Sequence, residues 1–381
     1  MTVLQIISSG GMYGAEAVIL NLSDELHASG HKSVVAVFSN VANENVELYG
    51  VATRRGIEAH LIPCSGQMDR TVGAKIRALV KKTGADVVHA HGYKADIYCY
   101  FALRGCYFPL RGTGVPMVST CHTWYDNDWR VTLYGKIDRM VLRGFDGVVA
   151  VSDVVKGQLL AAGVKADKVT LIQNGIGTAA FEGVTPSLRD ELAESELLVG
   201  LVGRLSREKG VDVFIRAAAE VLKVLPGVRF VVVGDGPDRV ALRALIEELG
   251  VGARVSLLGP RSDMPAVYAS FDVMVSASRE EGLPMAILEG LASGRALIAT
   301  NVGAVPMVVR DGDTGVLLAP ENVALLAGAI QRLLQDATLR VRLGTAGKRV
   351  IAAEFSAARM TADYLRVYEA TSAKRVSEVR A

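Results

Sequence analysis

The sequence predicts an α/β protein of two facing Rossmann-like domains, and three observations support this prediction. The 381 residues exceed what one ordinary hydrophobic core accommodates. Short β-branched runs alternate with amphipathic helical stretches, the pattern of parallel βαβ units. These runs form two series, separated at 174–195 by a segment rich in Gly, Thr, Pro and Ser. Because open parallel sheets bind ligands beyond the carboxyl ends of their strands, we expect the main site in an interdomain cleft.

The predicted strands define the domains. The first series comprises 3–8, 33–38, 86–90, 116–120 and 147–151, and the second comprises 198–202, 229–233, 255–258, 273–276, 296–299 and 315–317. A last helix is predicted from residue 355, with no strand after it. We therefore expect domains at 1–178 and 179–354, with 355–381 crossing back to the first domain.

Composition excludes several classes of protein. Half of the residues are apolar, 22% are charged and the formal net charge is +2, so we expect a globular protein that binds no nucleic acid. Cys64, Cys99, Cys106 and Cys121 lack paired metal-type spacing and indicate reduced thiols. Without a signal peptide or a long apolar run, the expected location is cytoplasmic, at most peripheral at the inner face of the cell membrane.

A glycine turn follows the first predicted strand. Gly10 and Gly11 precede a helix, so their backbone N–H groups could approach a phosphate at its N-terminus. A tight turn with no ligand explains the pattern equally well.

A basic loop follows the strand at 198–202. Arg204 and Lys209 lie between glycines ahead of the next helix, where two fixed cations could neutralise a diphosphate leaving group. The alternative is a solvated charged loop.

The segment 276–290 is the richest in chemistry. Glu281, Gly282 and Leu283 precede Pro284, which suits an early helical position and leaves N–H groups to meet an anion. Glu289 follows in an apolar helix of small residues, where a carboxylate needs hydrogen-bond donors such as sugar or ribose hydroxyls. Glu281 could instead cap the helix, and Glu289 could pair with a cation.

Histidines and aromatic residues occupy two strand ends of the first domain. His89 and His91 end one predicted strand, and His122 follows another; each alone is more often structural than functional. The nearby Asp126-Asn127-Asp128 lies in an aromatic loop, which we interpret as acceptor-facing rather than metal-binding.

Together these motifs resemble family 4 retaining glycosyltransferases of the GT-B fold along nearly the whole chain. The strongest match is Glu281 followed by Glu289 in the setting Ser-x-x-Glu-Gly-x-Pro, together with the loop from Gly203 to Gly210. The resemblance implies two facing Rossmann-like domains with a cleft, the first binding the acceptor and the second the nucleotide-sugar donor.

The resemblance also implies roles for the donor-side residues. Arg204 and Lys209 would contact the diphosphate, Glu289 the ribose and Glu281 the transferred sugar. Donor binding would further involve the backbone of Gly10, Gly11, Gly282 and Leu283.

On the acceptor side, His122 would lie near the sugar as a catalytic residue, with His91, Thr123 and Tyr125 as acceptor-side candidates. The implied reaction is front-face substitution without metal or cofactor, in which a hexose-type sugar leaves a nucleoside diphosphate, UDP by family habit. The acceptor could be a glycan, a lipid-linked glycan or a small molecule.

Three other functions are compatible with parts of the sequence. A nicotinamide dehydrogenase is disfavoured because Arg239 replaces the third glycine of the fingerprint that begins at Gly234. A nucleotide-sugar 2-epimerase of the same architecture would act on donor alone. A catalytically inactive sugar-binding module is disfavoured by the presence of both glutamates and both cations. Lys75, Arg77, Lys81 and Lys82 on one helix are usually a solvated face but could meet anionic lipid.

Overall fold

The chain divides into two compact units, Met1–Gly175 with Ala357–Ala381, and Ile176–Ser356. A computed structural model describes residues 1–12, 14–40, 45–66, 69–104, 113–122, 129–189, 197–282 and 285–380, and the side chains of 129–133 and 376–380 are outside this description. The sequence-based boundary after residue 178 lies a few residues beyond this division.

The first unit is built on a seven-stranded sheet with the order β3-β2-β1-β4-β5-β6-β7, in which every pairing is parallel. Its strands are β1 Thr2–Ile7, β2 Lys32–Asn40, β3 Glu58–Cys64, β4 Val87–His91, β5 Met117–Cys121, β6 Gly147–Ala150 and β7 Val169–Leu171. Its helices up to the domain boundary are α1 Gly14–Ala28, α2 Glu47–Arg54, α3 Val72–Thr83, α4 Tyr93–Arg104, α5 Trp129–Leu142 and α6 Asp153–Ala161. The central strands β4, β5 and β6 are buried at every position, as expected for a parallel sheet covered on both faces.

The second unit is built on a six-stranded parallel sheet with the order β10-β9-β8-β11-β12-β13. Its strands are β8 Leu198–Val202, β9 Arg229–Val233, β10 Val255–Gly259, β11 Val273–Ser276, β12 Ala296–Thr300 and β13 Val316–Leu318. Its helices are α7 Val211–Val224, α8 Arg239–Glu248, α9 Met264–Ser270, α10 Met285–Ala292, α11 Val305–Val308, α12 Val323–Gln335 and α13 Ala337–Glu354.

Both sheets have the same switch point. The strand order reverses between β1 and β4 in the first unit and between β8 and β11 in the second. In such sheets, ligands bind outside the carboxyl ends of the strands that flank this point. The fold therefore places the loops after β1, β4, β8 and β11 where ligand binding is expected.

The predicted parallel α/β class is confirmed, and every predicted strand is present within one or two residues. Two strands that sequence reasoning missed, β3 and β7, are the two edges of the first sheet. β3 carries three partly buried residues and a proline, and β7 has only three residues. Edge strands bury less surface than central ones, so they lack the continuous apolar run that makes a buried strand visible in a sequence.

The last helix, α14 Ala357–Arg380, belongs to the first unit. It packs against α1, β5 and β6, and it buries Tyr364 and Tyr368 almost completely. In the described portion of the chain, no helix has the length and apolar character needed to cross a membrane.

Candidate active site

The loop after β8 presents the two basic residues singled out in the sequence. Arg204 is exposed, and Lys209 ends a short 3-10 helix, Arg207–Lys209, just before α7. Gly210 caps α7 with φ 62°, and a Cβ there would lie 2.0 Å from the carbonyl oxygen of Ala277. Only glycine therefore allows the β8 loop to pass so close to the loop after β11.

This close approach joins Lys209 to Glu281. The Lys209 ammonium donates to Glu281 Oε1 at 2.5 Å, and the Ser278 hydroxyl donates to the same oxygen at 2.6 Å. The Glu281 side chain is 7% exposed and that of Lys209 26%. The site thus pairs a cation with a carboxylate and still leaves the cation accessible to a ligand.

Arg279 holds the two loops together, a role that sequence reasoning missed. Its guanidinium makes two hydrogen bonds of 2.8 Å to the Asp212 carboxylate and one of 2.7 Å to Glu321. Its backbone N–H donates to Glu208 O at 2.7 Å. These carboxylates raise the pKa of Arg279 above its ordinary value. The residue lies within the motif containing Glu281, but no local pattern identifies its distant partners.

Glu289 lies on α10 and accepts a hydrogen bond of 2.7 Å from the Tyr268 hydroxyl on α9. The alternative hypothesis, that Glu289 pairs with a cation, is wrong: among the described residues, its side-chain partner is the Tyr268 phenol. Although part of the side chain reaches solvent, burial raises the pKa of Glu289 to about 7, and the Tyr268 bond partly opposes this rise. A carboxylate in this position gains from hydroxyl donors on a ligand.

Three further glycines allow close backbone contacts between loops of the second unit. A Cβ at Gly234 would lie 1.9 Å from Gly203 O, and one at Gly236 would lie 2.3 Å from Leu205 O. The glycines that resemble a dinucleotide fingerprint therefore serve to pack one loop against another. At Gly303, with φ 53°, a Cβ would lie 1.7 Å from Glu281 O, so this glycine supports the backbone of the carboxylate motif.

In the first unit, the glycine turn after β1 is closed by its own hydrogen bonds. The Gly11 N–H donates to Ser9 Oγ at 3.2 Å, and the Ser9 hydroxyl contacts Glu16 Oε1 at 2.9 Å. Gly10 is exposed at the tip. For Gly11 to bind a phosphate as the resemblance implies, its N–H has to exchange Ser9 for the ligand.

Three histidine rings pack in a row near the carboxyl ends of β4 and β5, with His89 and His91 tilted by 41° and His91 stacked on His122. The ring centroids of His89 and His91 are 4.0 Å apart, and those of His91 and His122 are 6.0 Å apart with planes inclined by 25°. Burial lowers the pKa of His122 to about 4 and that of His91 well below its ordinary value. The structure thus brings His122, predicted to be catalytic, together with the acceptor-side candidate His91, and both are neutral at pH 7.

Some predicted residues lie outside the described residues: Leu283, Pro284, Thr123, Tyr125, Asp126 and Asp128. Among those described, no three His, Cys, Asp or Glu side chains cluster as metal ligands. Cys64, Cys99 and Cys121 are free and buried.

Two of the four basic residues on α3 make hydrogen bonds to backbone carbonyls of the protein itself. Lys75 donates to Pro63 O at 2.7 Å, and Arg77 donates to Ala102 O at 3.0 Å. Lys81 and Lys82 are exposed. Of the four cations, Lys81 and Lys82 are therefore the two that are fully exposed to solvent.

Two doubly wound parallel sheets, with basic and acidic side chains at the switch point of the second, define an α/β protein of the GT-B fold. The model of the family described as "Glycosyltransferase Family 4" matches residues 12–180. The model of the family described as "Glycosyl transferases group 1" matches residues 187–350. Alpha-D-kanosaminyltransferase of Streptomyces kanamyceticus is 30% identical over 307 residues, covering 76% of this chain and 75% of that protein. The chain belongs to glycosyltransferase family 4.

Other similar proteins agree with this assignment. Alpha-maltose-1-phosphate synthase of Mycolicibacterium smegmatis is 28% identical over 353 residues, covering 84% of this chain and 86% of that protein. The crystal structure of HepE from Anabaena, in complex with UDP and glucose, superposes with a TM-score of 0.82 at 21% identity, covering 97% and 100% of the two chains. Sucrose-phosphate synthase from Thermosynechococcus elongatus gives a TM-score of 0.79 at 20% identity, covering 98% and 100%. The predicted family and GT-B fold are confirmed.

Proposed function

We propose that this glycosyltransferase moves a hexose-type sugar from a UDP-sugar to an acceptor hydroxyl, with retention of the anomeric configuration and without a metal ion. The observation that carries the proposal is the convergence of Lys209 and Glu281 at the switch point of the second sheet, with Arg204 on the same loop as Lys209. UDP is favoured because HepE, of the same fold, was solved with UDP and with UDP-glucose.

The donor's diphosphate is assigned to the two cations. As the bond between the sugar's anomeric carbon and the phosphate oxygen breaks, negative charge builds up on the departing phosphate. Arg204 and Lys209 stabilise that charge more than they stabilise the intact donor, which lowers the barrier. The Lys209 ammonium is held by Glu281 before the donor arrives, so little reorientation is needed.

The two glutamates are assigned to opposite ends of the donor. Glu289, held by Tyr268, accepts from the ribose hydroxyls, and Glu281 accepts from the transferred sugar. Both assignments match carboxylate acceptors to hydroxyl donors. The backbone of Gly282 and Leu283, and of Gly10 and Gly11, completes donor binding.

The acceptor hydroxyl attacks the anomeric carbon from the face that the phosphate leaves. Its proton passes to an oxygen of the departing phosphate, and the new glycosidic bond forms on the same face. The family resemblance assigns His122 to the transferred sugar and makes His91, Thr123 and Tyr125 the candidates for binding the acceptor. A neutral His122 can accept or donate one hydrogen bond there without adding a charge.

The proposed acceptor is a glycan, a lipid-linked glycan or a small molecule, since the similar proteins include both a kanosaminyltransferase and a maltose-1-phosphate synthase. A cytoplasmic location and contact with a membrane surface stay predictions, the latter now depending on Lys81 and Lys82.

A thermal-shift screen with UDP-, GDP-, ADP- and TDP-sugars tests the donor assignment, since a bound ligand raises the melting temperature. We expect the largest shift with a UDP-sugar. Proton NMR of the first product then reports its anomeric configuration, and an inverted product contradicts the mechanism. Turnover of donor to an isomeric nucleotide sugar, with no acceptor present, favours the 2-epimerase instead.

A further inference from the structure

Four buried side chains form a continuous hydrogen-bonded chain between the last helix and the sheet of the first unit. The Tyr368 hydroxyl lies 2.8 Å from His89 Nδ1, His89 Nε2 lies 2.8 Å from Thr120 Oγ1, and Thr120 Oγ1 lies 2.8 Å from the Tyr364 hydroxyl. None of the four is more than 1% exposed. The two tyrosines are on α14, and the other two residues are on β4 and β5.

This chain fixes the orientation of the His89 ring. Burial lowers the pKa of His89 to about 3, so the imidazole is neutral and has one donor and one acceptor nitrogen. If Tyr368 donates to Nδ1, then Nε2 donates to Thr120; if Thr120 donates to Nε2, then Nδ1 donates to Tyr368. In either direction the ring cannot turn without breaking two buried hydrogen bonds, each costly to leave unmade.

The fixed His89 ring packs against His91, the next histidine along β4. His89 and His91 lie two residues apart on β4, and their side chains therefore share a face of the sheet. His91 is 2% exposed, and neither of its ring nitrogens has a hydrogen-bond partner among the described residues. Packing between His89 at 4.0 Å and His122 at 6.0 Å thus holds the His91 ring.

We propose that Tyr364 and Tyr368 are positioning residues for His122, acting through Thr120, His89 and His91. The last helix then does more than cover the sheet: its two phenols set the first ring of a stack that ends at the sugar-facing histidine. The importance of His122 for transfer rests on the proposed function, whereas the mechanical link between the tyrosines and His122 does not.

The test is NMR of the full chain labelled with ¹⁵N-histidine, whose six histidines are assigned by single replacements. Tyr368→Phe keeps the ring and removes one hydroxyl, and we expect it to shift the ring-nitrogen resonances of His89, His91 and His122 together. Tyr364→Phe, which takes one partner from Thr120, is expected to give the same pattern with smaller shifts. It also serves as the second variant if Tyr368→Phe does not fold.

Tyr98→Phe is the matched control. Tyr98 is a buried tyrosine of the same unit whose hydroxyl accepts from the Asp69 N–H at 3.0 Å, away from the stack. It should leave the His122 resonances unchanged. If Tyr368→Phe and Tyr364→Phe shift His89 alone, or if Tyr98→Phe shifts His122 equally, the tyrosines only anchor the helix and the proposal is wrong.

A kinetic measurement connects the link to function, using UDP release from UDP-glucose as the assay and calorimetric titration with UDP as the donor-side control. We expect Tyr368→Phe to lower kcat while leaving the Kd for UDP unchanged. An unchanged kcat, despite shifted His122 resonances, overturns the functional part of the proposal. If the unmodified protein turns over no nucleotide sugar, the proposed function fails, and the NMR result still decides whether the tyrosines position His122.

Discussion

The Lys209 ammonium and the Glu281 carboxylate lie 2.5 Å apart in the second unit, across two loops held together by backbone contacts. The residues proposed to hold the diphosphate and the sugar are therefore partners of one another before any ligand binds. Replacing one changes the charge that the other presents.

Glu281→Gln should strengthen UDP binding by about two- to fivefold, because a neutral amide no longer offsets the positive charge of Lys209. That range corresponds to the worth of a partly exposed ion pair. Calorimetric titration with UDP measures it. Glu321→Gln is the control, since this carboxylate bonds Arg279 and not Lys209. Weaker UDP binding in Glu281→Gln alone would mean that Glu281 itself holds the nucleotide.

Arg204→Ala should lower kcat by roughly a hundredfold, because it removes charge stabilisation that grows as the diphosphate leaves. Arg207→Ala deletes the same charge from an exposed position on the same loop and should change kcat little. The measurement is steady-state turnover of the donor found in the thermal-shift screen. Equal losses in both variants would point to a general effect of positive charge and not to a contact with the leaving group.

Gly303→Ala should destabilise the protein and reduce turnover, because the new Cβ would meet Glu281 O at 1.7 Å. Gly312→Ala has a similar positive φ, 72°, and no heavy atom within 4 Å of the new Cβ. Both variants pay about 1–2 kcal/mol for the left-handed backbone. Overpacking should cost Gly303→Ala a further ~1–3 kcal/mol. Urea unfolding compares the two, and equal free energies of unfolding would contradict the close contact.

Glu289 should make stability fall as the pH rises. Its pKa is raised from 4.5 to about 7 in the folded protein, so its contribution is fully present below pH 4.5 and is lost as the pH passes through about 7. Over that window, the free energy of unfolding should decrease by up to ~1.4 kcal/mol per pH unit, and by less where solvent screens the group.

Glu289→Gln removes this titration. The difference in free energy of unfolding between the unmodified protein and Glu289→Gln, measured in urea at pH 5 and pH 7.5, should therefore change sharply with pH. The comparison also cancels the opposite contribution of the buried histidines, whose lowered pKa values favour folding at higher pH. Glu248→Gln removes a carboxylate from an exposed helix position and is the control for a general effect of losing one negative charge. A flat difference for Glu289→Gln would place its folded pKa near the unfolded value.

Turnover should survive chelation, because the proposed mechanism assigns the diphosphate charge to Arg204 and Lys209. Activity is measured after exhaustive dialysis against EDTA, with and without added magnesium or manganese. We expect no more than a small change. Loss of turnover in EDTA that either metal restores would show that the cations on this loop are insufficient.

Local patterns in the sequence predicted much of the architecture and the donor-side motif. Apolar runs of three to six residues at β8, β9 and β11 predicted those strands within their observed bounds, because a central parallel strand must bury both faces. Glycines next to Arg204 and Lys209 marked a loop at a strand end, and the spacing of Glu281 and Glu289 identified the helix behind it. These signals lie within a few residues of one another, so a linear reading finds them.

Tertiary structure alone decided which side chains meet. Arg279 and Asp212 are 67 residues apart in the chain, Lys209 and Glu281 are 72 apart, and Tyr368 and His89 are 279 apart. No local periodicity encodes such pairs, since each depends on how the sheet aligns distant strand ends and packs helices over them. The pKa values of Glu289 and of the stacked histidines likewise follow from burial and neighbours, which exist only once the chain has folded. The sequence by itself determined the kinds of groups available at each strand end, and folding determined their partners and their charge.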